Sequence, residues 1–420
     1  MGDAAADKGG GCHDSAPDPR PPGGLVDRPE AKHAGLGHGD PRGRSGGRRS
    51  GGRRWRRVAF LGLVLACAAV VGELAARALL AEPTVGIVAH PYLRRVRAPG
   101  SSQTLLDPWT RRPFVLHVDE HGFRCRTLEP PGVPKDPRSY RIFFVGASTT
   151  ENIVLPDEQT FPVLVAEELT RRVGDGTRVH GVNTALSGNS VADSLSLVAH
   201  RLTALEPDLI VVLHAVNDMR ATLSRRFDPA HYADRIAPEP PTLGAWLRGT
   251  SRAVQAFERT VEKFRREDVA EKYRARRRSR PKTPVTDVRA GAPYFRRYLE
   301  MIAAVCRQAR VPLALMTMPS LYREDLTPEE EESLWLGWVA HGELNIDTPT
   351  LLAGMRAYNE VIREVARAEG ALLVDLEPAV PKDLRHFYDD VHTTALGNEV
   401  VARAVVEALW AGGELPRWRR

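Results

Sequence analysis

The sequence predicts an α/β domain, a mostly parallel sheet with helices on both faces. Short runs of aliphatic, β-branched and aromatic residues recur from residue 140 onward, each the length of a buried strand. Between them lie stretches whose apolar residues return every three or four positions, the mark of an amphipathic helix. Alternating strand and helix patterns imply crossover connections, and crossovers make parallel sheets.

Composition sets the frame. The chain has 420 residues, 42% hydrophobic and 27% charged, which is ordinary for a globular protein. The formal net charge is +6, and the positive charge gathers in arginine runs rather than in a nucleic-acid module, so no nucleic-acid partner is expected. Four cysteines are too few for a disulfide framework.

Residues 1–57 are rich in Gly, Pro, Asp and Arg and lack apolar periodicity, so a disordered tail is expected. Residues 58–72 carry no charge, and the apolar character continues past Glu73 and Arg77 to Ala81. Residues 58–81 are long enough for a transmembrane helix, on which Glu73 and Arg77, four apart, can pair. The arginines at 53–57 place the N-terminus in the cytoplasm by the positive-inside rule, and the remainder outside. A cleaved signal peptide is the rival, but the preceding tail is too long for its basic region; a core helix is the other. Residues 82–139 are Pro-rich, with one short apolar run at 113–117, and read as a lead-in segment packed on the main domain.

The domain proper is expected over 140–411. Its first strand, around residues 142–145, runs into Gly146-Ala147-Ser148-Thr149 and so presents a hydroxyl at the carboxyl end of the sheet, where ligands of open α/β sheets bind. Thr160 is the expected N-cap of a helix carrying Phe161, Val165 and Leu169. A second strand spans 178–185, followed by a loop at 186–190 and a helix to about Leu205. Further strands are expected at 208–215, 311–318 and 371–376. Phe295, Leu299, Ile302 and Cys306 form one helical stripe, and Leu351, Met355, Tyr358, Ile362 and Val365 form another. A polar, charged insertion at about 221–292 follows the third strand and could cover the sheet edge. Its basic run, 274–282, is expected as a solvated face, with contact to anionic lipid or acidic polysaccharide as the alternative.

Acyl transfer needs a nucleophile, a base, a partner that fixes the base, and donors for an oxyanion. Each has a candidate at the same sheet edge. Ser148 is the nucleophile, His392 the base, and Asp389, three residues earlier, its partner. The backbone N–H groups of Ser148 and Gly188 and the side-chain amide of Asn217 are the oxyanion donors. His214 is expected to be packed rather than a ligand, and His386 and Asp390 to lie in an exposed loop, with substrate contact as the alternative. No Cys/His spacing suggests zinc and no Gly-rich phosphate loop is present, so no metal or cofactor is expected.

Here the chain resembles the SGNH, or GDSL-type, serine hydrolases. Four blocks stand in that family's order: Gly146-Ala147-Ser148-Thr149, Ser187-Gly188-Asn189, Val216-Asn217-Asp218, and Asp389 with His392 ahead of Gly397-Asn398. Ala147 and Ala215 depart from the pattern, where many members have Asp and Gly, but neither supplies a triad atom. The lead-in also resembles that of membrane-tethered bacterial members. The resemblance implies a flavodoxin-like three-layer α/β/α fold and a serine esterase acting on acyl esters of a carbohydrate or lipid through an acyl-enzyme. Two alternatives are an O-acyltransferase acting on an exported polysaccharide and a catalytically silent binding domain.

Overall fold

The computed structural model describes residues 51–79, 86–88, 90–125, 127–223, 227, 251–254, 256–257, 269–284, 287–339 and 344–412. The tail up to residue 50 and much of the 221–292 insertion lie outside the described residues. The first element is a helix, α1 (Gly51–Leu79), of which the 25 residues Trp55–Leu79 are long and apolar enough to cross a membrane. It starts earlier than expected. Residues 51–57, expected in a disordered tail, continue the helix, for arginine is a good helix former and the apolar run supplies the nucleus. Glu73 and Arg77 pair at 2.7 Å, as their spacing allows.

The segment ahead of the main sheet forms two small antiparallel pairs. Strand β1 (Ile87–Val88) pairs with β2 (Val96–Arg97), and β3 (Ser102–Leu106) with β4 (Pro113–His117). Leu93, Phe123, Cys125 and Leu128 from this segment are buried in the same core cluster as the main sheet.

The main sheet has five parallel strands: β5 (Ser139–Gly146), β6 (Arg178–Asn183), β7 (Leu209–Leu213), β8 (Leu313–Met316) and, after a short antiparallel pair β9 (Trp338–Val339) and β10 (Leu344–Asn345), β11 (Leu372–Val374). Their spatial order is β11-β8-β7-β5-β6, the 2-1-3-4-5 order of flavodoxin-like folds. The crevice of that topology opens where β5 lies between β6 and β7, at the carboxyl end of β5 and beside Ser148.

Nine helices after α1 are described here: α2 (Ser148–Glu151), α3 (Phe161–Val173), α4 (Val191–His200), α5 (Val216–Thr222), α6 (Val269–Ser279), α7 (Ala292–Ala309), α8 (Pro328–Ser333), α9 (Thr348–Glu369) and α10 (Ala395–Ala411). Helix α3 packs with α10, while α4, α7 and α9 pack together, giving a helical layer on each face. The stripes predicted for α3, α7 and α9 are buried, and every residue of β5 is buried. A buried aliphatic or aromatic side chain contributes about 1.5–3 kcal/mol, so these buried strands and stripes together stabilise the domain.

Three local expectations change. Helix α4 ends at His200, and a separate 3₁₀ turn covers Leu202–Leu205. Thr160 does occupy the N-cap of α3, but its hydroxyl donates to the Asp157 carbonyl; Asn398 Oδ1 accepts the Phe161 N–H instead, at 2.9 Å. The basic run is not a uniformly solvated face. Arg277 is buried, donating to the Ile346 carbonyl at 2.7 Å and to Asn345, while Arg278 pairs with Glu271 and Glu332, and Lys282 with Glu331. The acidic α8 region neutralises charge that periodicity alone had left facing water.

Candidate active site

Ser148 begins α2 directly after β5. The turn is tight because Gly146 leaves no room for a side chain: a Cβ there would lie 2.3 Å from Thr150 Oγ1 and 2.8 Å from the Leu213 carbonyl. Ser148 itself is half-buried, with its Oγ 2.8 Å from His392 Nε2. His392 Nδ1 lies 2.7 Å from Asp389 Oδ2, and Asp389 is fully buried. A carboxylate only accepts, so Nδ1 carries the ring proton and Nε2 is left to accept the serine O–H. The structure therefore joins three of the residues singled out in the sequence into one chain of hydrogen bonds.

The Asp389 carboxylate takes further donors. Oδ1 accepts the backbone N–H groups of His392 at 2.9 Å and Val391 at 3.0 Å, and Oδ2 accepts the Trp335 indole N–H at 2.9 Å. Burial would push its pKa up, but the facing His392 charge, the hydrogen bond from its ring and the His392 and Val391 N–H groups hold it below the usual carboxylate range. For His392, burial favours the neutral ring. The charge and hydrogen bond of Asp389 outweigh that, so its pKa lies above the ordinary histidine value. The rings of Tyr388 and Trp335 lie nearly parallel to the imidazole, at 5.5 and 6.2 Å between centroids. Trp109, from the lead-in, meets Tyr388 edge-on.

Gly188 and Asn217 lie at the same sheet edge, after β6 and β7. Gly188 has a φ of 79°, in the left-handed region that favours glycine. Asn217 donates one amide proton to the Asn189 carbonyl at 3.0 Å, which ties it to the loop beside Gly188. Its neighbour Asp218 is fully buried and accepts the Val191 N–H at 2.9 Å, fixing the start of α4 to α5. His214 is buried against Ser194 Oγ, 2.7 Å from its Nε2, and burial lowers its pKa to about 4; it stays a neutral packed histidine.

The His386 and Asp390 expectation is corrected. Asp390 is not in an exposed loop but fully buried, because both oxygens are satisfied internally. Oδ1 accepts the Tyr322 hydroxyl at 2.8 Å, and Oδ2 the N–H groups of Trp335 at 2.7 Å and Leu336 at 3.0 Å. Burial and the adjacent Asp389 charge push its carboxyl up. His386 is partly buried, with Nδ1 2.7 Å from Asp383.

Residues outside the motif blocks also shape the site. Glu151, buried at the end of α2, accepts the Arg97 Nε–H at 2.8 Å and the Ser187 N–H at 2.6 Å. Arg95 donates to the Ser187 carbonyl and Arg94 to the Gly188 carbonyl, the latter at 3.0 Å. The lead-in thus holds both the loop at 187–189 and the helix that begins with Ser148. Asn398 links α10 to the same region by accepting from Asn152 Nδ2 at 3.0 Å. No local sequence pattern points to these contacts, because each joins residues far apart in the chain.

A serine–histidine–aspartate hydrogen-bond chain stands at the carboxyl edge of a 2-1-3-4-5 sheet, and the protein is a serine ester hydrolase by its family. The model of the GDSL-like lipase/acylhydrolase family matches residues 144–400, and the chain belongs to that family. No curated protein matches it. Among solved structures, it is similar to an acetylxylan esterase, Axe2, from Geobacillus stearothermophilus, at 14% identity and a TM-score of 0.37, covering 64% of this chain and 94% of that one. It is also similar to an acetyl xylan esterase, AlAXEase, at 16% identity and a TM-score of 0.36, covering 65% and 98%. A third is LAE5, an alpha/beta hydrolase enzyme from the metagenome of Lake Arreo, Spain, at 18% identity and a TM-score of 0.37, covering 64% and 94%.

Proposed function

We propose that Ser148, His392 and Asp389 form a catalytic triad that hydrolyses acyl esters, acetyl or short-chain, of a carbohydrate or lipid. The observation that carries the reading is the continuous hydrogen-bond chain from Ser148 Oγ through the His392 ring to Asp389, at 2.8 and 2.7 Å. Ser148 Oγ attacks the ester carbonyl carbon while His392 Nε2 takes its proton. Asp389 holds the tautomer and stabilises the imidazolium. The charge on the carbonyl oxygen is met by the backbone N–H groups of Ser148 and Gly188 and by the Asn217 amide. Collapse expels the alcohol, protonated by His392, and leaves an acyl group on Ser148. Water activated by the same histidine then releases the acid and restores the serine.

In the same reading, residues 58–81 tether the enzyme to the cell membrane, with 1–57 as a cytoplasmic tail, 82–139 as lead-in and 140–411 as the catalytic domain outside. The helix at Trp55–Leu79 supports the tether, and the arginines at 53–57 support the orientation. Turnover of a chromogenic acetyl ester tests the chemistry: it should vanish in Ser148→Ala, and persistence would refute the assignment. A reporter fused after Arg420 tests the topology: a cytoplasmic signal would refute the orientation.

A further inference from the structure

We propose that Trp335 is a positioning residue for the triad, its indole N–H anchoring the Asp389 carboxylate to the body of the protein, and that Asp390 holds Trp335 in place for this task. The inference rests on the triad reading. Among the described residues, every other donor to Asp389 comes from its own loop: the ring and N–H of His392 and the N–H of Val391. Such donors move with the carboxylate and cannot set its position relative to Ser148. Trp335 comes from the segment after α8, more than fifty positions away, and reaches Oδ2 at 2.9 Å.

Two consecutive carboxylates grip that one residue. Asp389 takes the indole N–H, and Asp390 takes the backbone N–H at 2.7 Å. Asp390 is in turn fixed by the Leu336 N–H and the Tyr322 hydroxyl, all of them buried. The indole plane lies within 9° of the imidazole plane, so the ring that donates to the aspartate also limits tilting of the histidine. A buried aspartate with no role in the relay thereby acquires one through its neighbour. The other charged groups that act on His392 are Asp390 and Arg220 from α5, while Tyr388 of the same loop is acted on by Asp389 and by Arg274 from α6.

The test is Trp335→Phe in the full chain, assayed on p-nitrophenyl acetate across pH, with Ser148→Ala alongside. Loss of one hydrogen bond to a charged group should lower kcat about tenfold to a hundredfold, with KM nearly unchanged. The carboxylate, with one donor fewer, stabilises the imidazolium more strongly, so the acid limb should move to higher pH. A packing role alone would reduce the amount of folded enzyme and leave that limb in place. Asp390→Ala should shift kcat and pH limb in the same direction, and adding Trp335→Phe to it should cost little more. If Asp390→Ala does not fold, Trp335→Phe decides alone. Wild-type kcat and an unmoved acid limb in Trp335→Phe, with Ser148→Ala inactive, would overturn the inference and leave the triad intact. Activity surviving in Ser148→Ala would instead overturn the triad reading itself.

Discussion

Replacing Asn217 by alanine is predicted to lower kcat about a hundredfold to a thousandfold, the usual loss for one oxyanion donor. The structure separates this effect from folding. One amide proton of Asn217 goes to the Asn189 carbonyl at 3.0 Å, and in the proposed mechanism the other meets the oxyanion. Asn217 is only half-buried, so losing the first bond should cost about 1 kcal/mol of stability. The loop it touches keeps its other ties, from Glu151 to Ser187 and from Arg94 to Gly188. Catalysis should therefore fall by about 3–4 kcal/mol in barrier while the fold loses about a quarter of that. The assay pairs steady-state kinetics on an acetyl ester with urea unfolding of the same preparation. An unchanged kcat would remove Asn217 from the mechanism. A raised KM with unchanged kcat would make it a ground-state binding residue instead.

Other outcomes follow from the same geometry. Asn398→Ala should destabilise the domain by about 3 kcal/mol or more, since it strands the Phe161 N–H and the Asn152 amide, whereas Thr160→Ala should cost less than about 1 kcal/mol; equal losses in denaturant unfolding would contradict the capping described for α3. Gly146→Ala should lose about 1–3 kcal/mol and most activity, because the added Cβ meets the backbone of β7, and a wild-type unfolding midpoint would show that β5 can shift. The acid limb of kcat/KM should centre above the ordinary histidine value of 6.5, because only neutral His392 accepts the serine proton and Asp389 raises its pKa; a limb below 6.5 would contradict this. For stability the signs oppose. The raised His392 pKa contributes stability that is present below 6.5 and lost as pH rises through the folded value. The lowered Asp389 pKa contributes stability that is present above 3.8 and lost as pH falls through its folded value. Unfolding free energies measured across that range check both.

Much of the fold was legible because burial leaves a periodic trace. The run at 142–145 reads as a strand because it is buried on both faces and so is continuously apolar, and the stripe of Leu351, Met355, Tyr358 and Ile362 reads as a helix because only one face of it is buried. The three residues of the hydrogen-bond chain could be singled out because Asp389 and His392 share one loop, Ser148 follows a strand, and the four motif blocks stand in the order of the family the chain resembles. Polar contacts across long sequence separations left no such trace. Arg97 with Glu151, Trp335 with Asp389, and Asn398 with Phe161 each join residues far apart in the chain. Arg277 departs from expectation for a related reason: a run of arginines has the composition of a solvated face, and only the fold brings the Ile346 carbonyl to one of them. Asp390 looked exposed because neighbouring charges usually are, and its three donors come from Tyr322, Trp335 and Leu336.

The central claim is that Asp389, not Asp390, completes a triad with His392 and Ser148. It is tested most directly by comparing Ser148→Ala, Asp389→Asn and Asp390→Asn in one esterase assay, with fluorophosphonate labelling of each protein. Ser148→Ala should lose both turnover and labelling. Asp389→Asn should fall by several orders of magnitude, toward the roughly ten-thousandfold loss seen when a triad tautomer is no longer enforced. Asp390→Asn should keep far more activity, since it touches neither the ring nor the serine and an amide can still accept the Trp335 and Leu336 N–H groups. Full labelling of Ser148→Ala, or an active Asp389→Asn beside an inactive Asp390→Asn, would contradict the account.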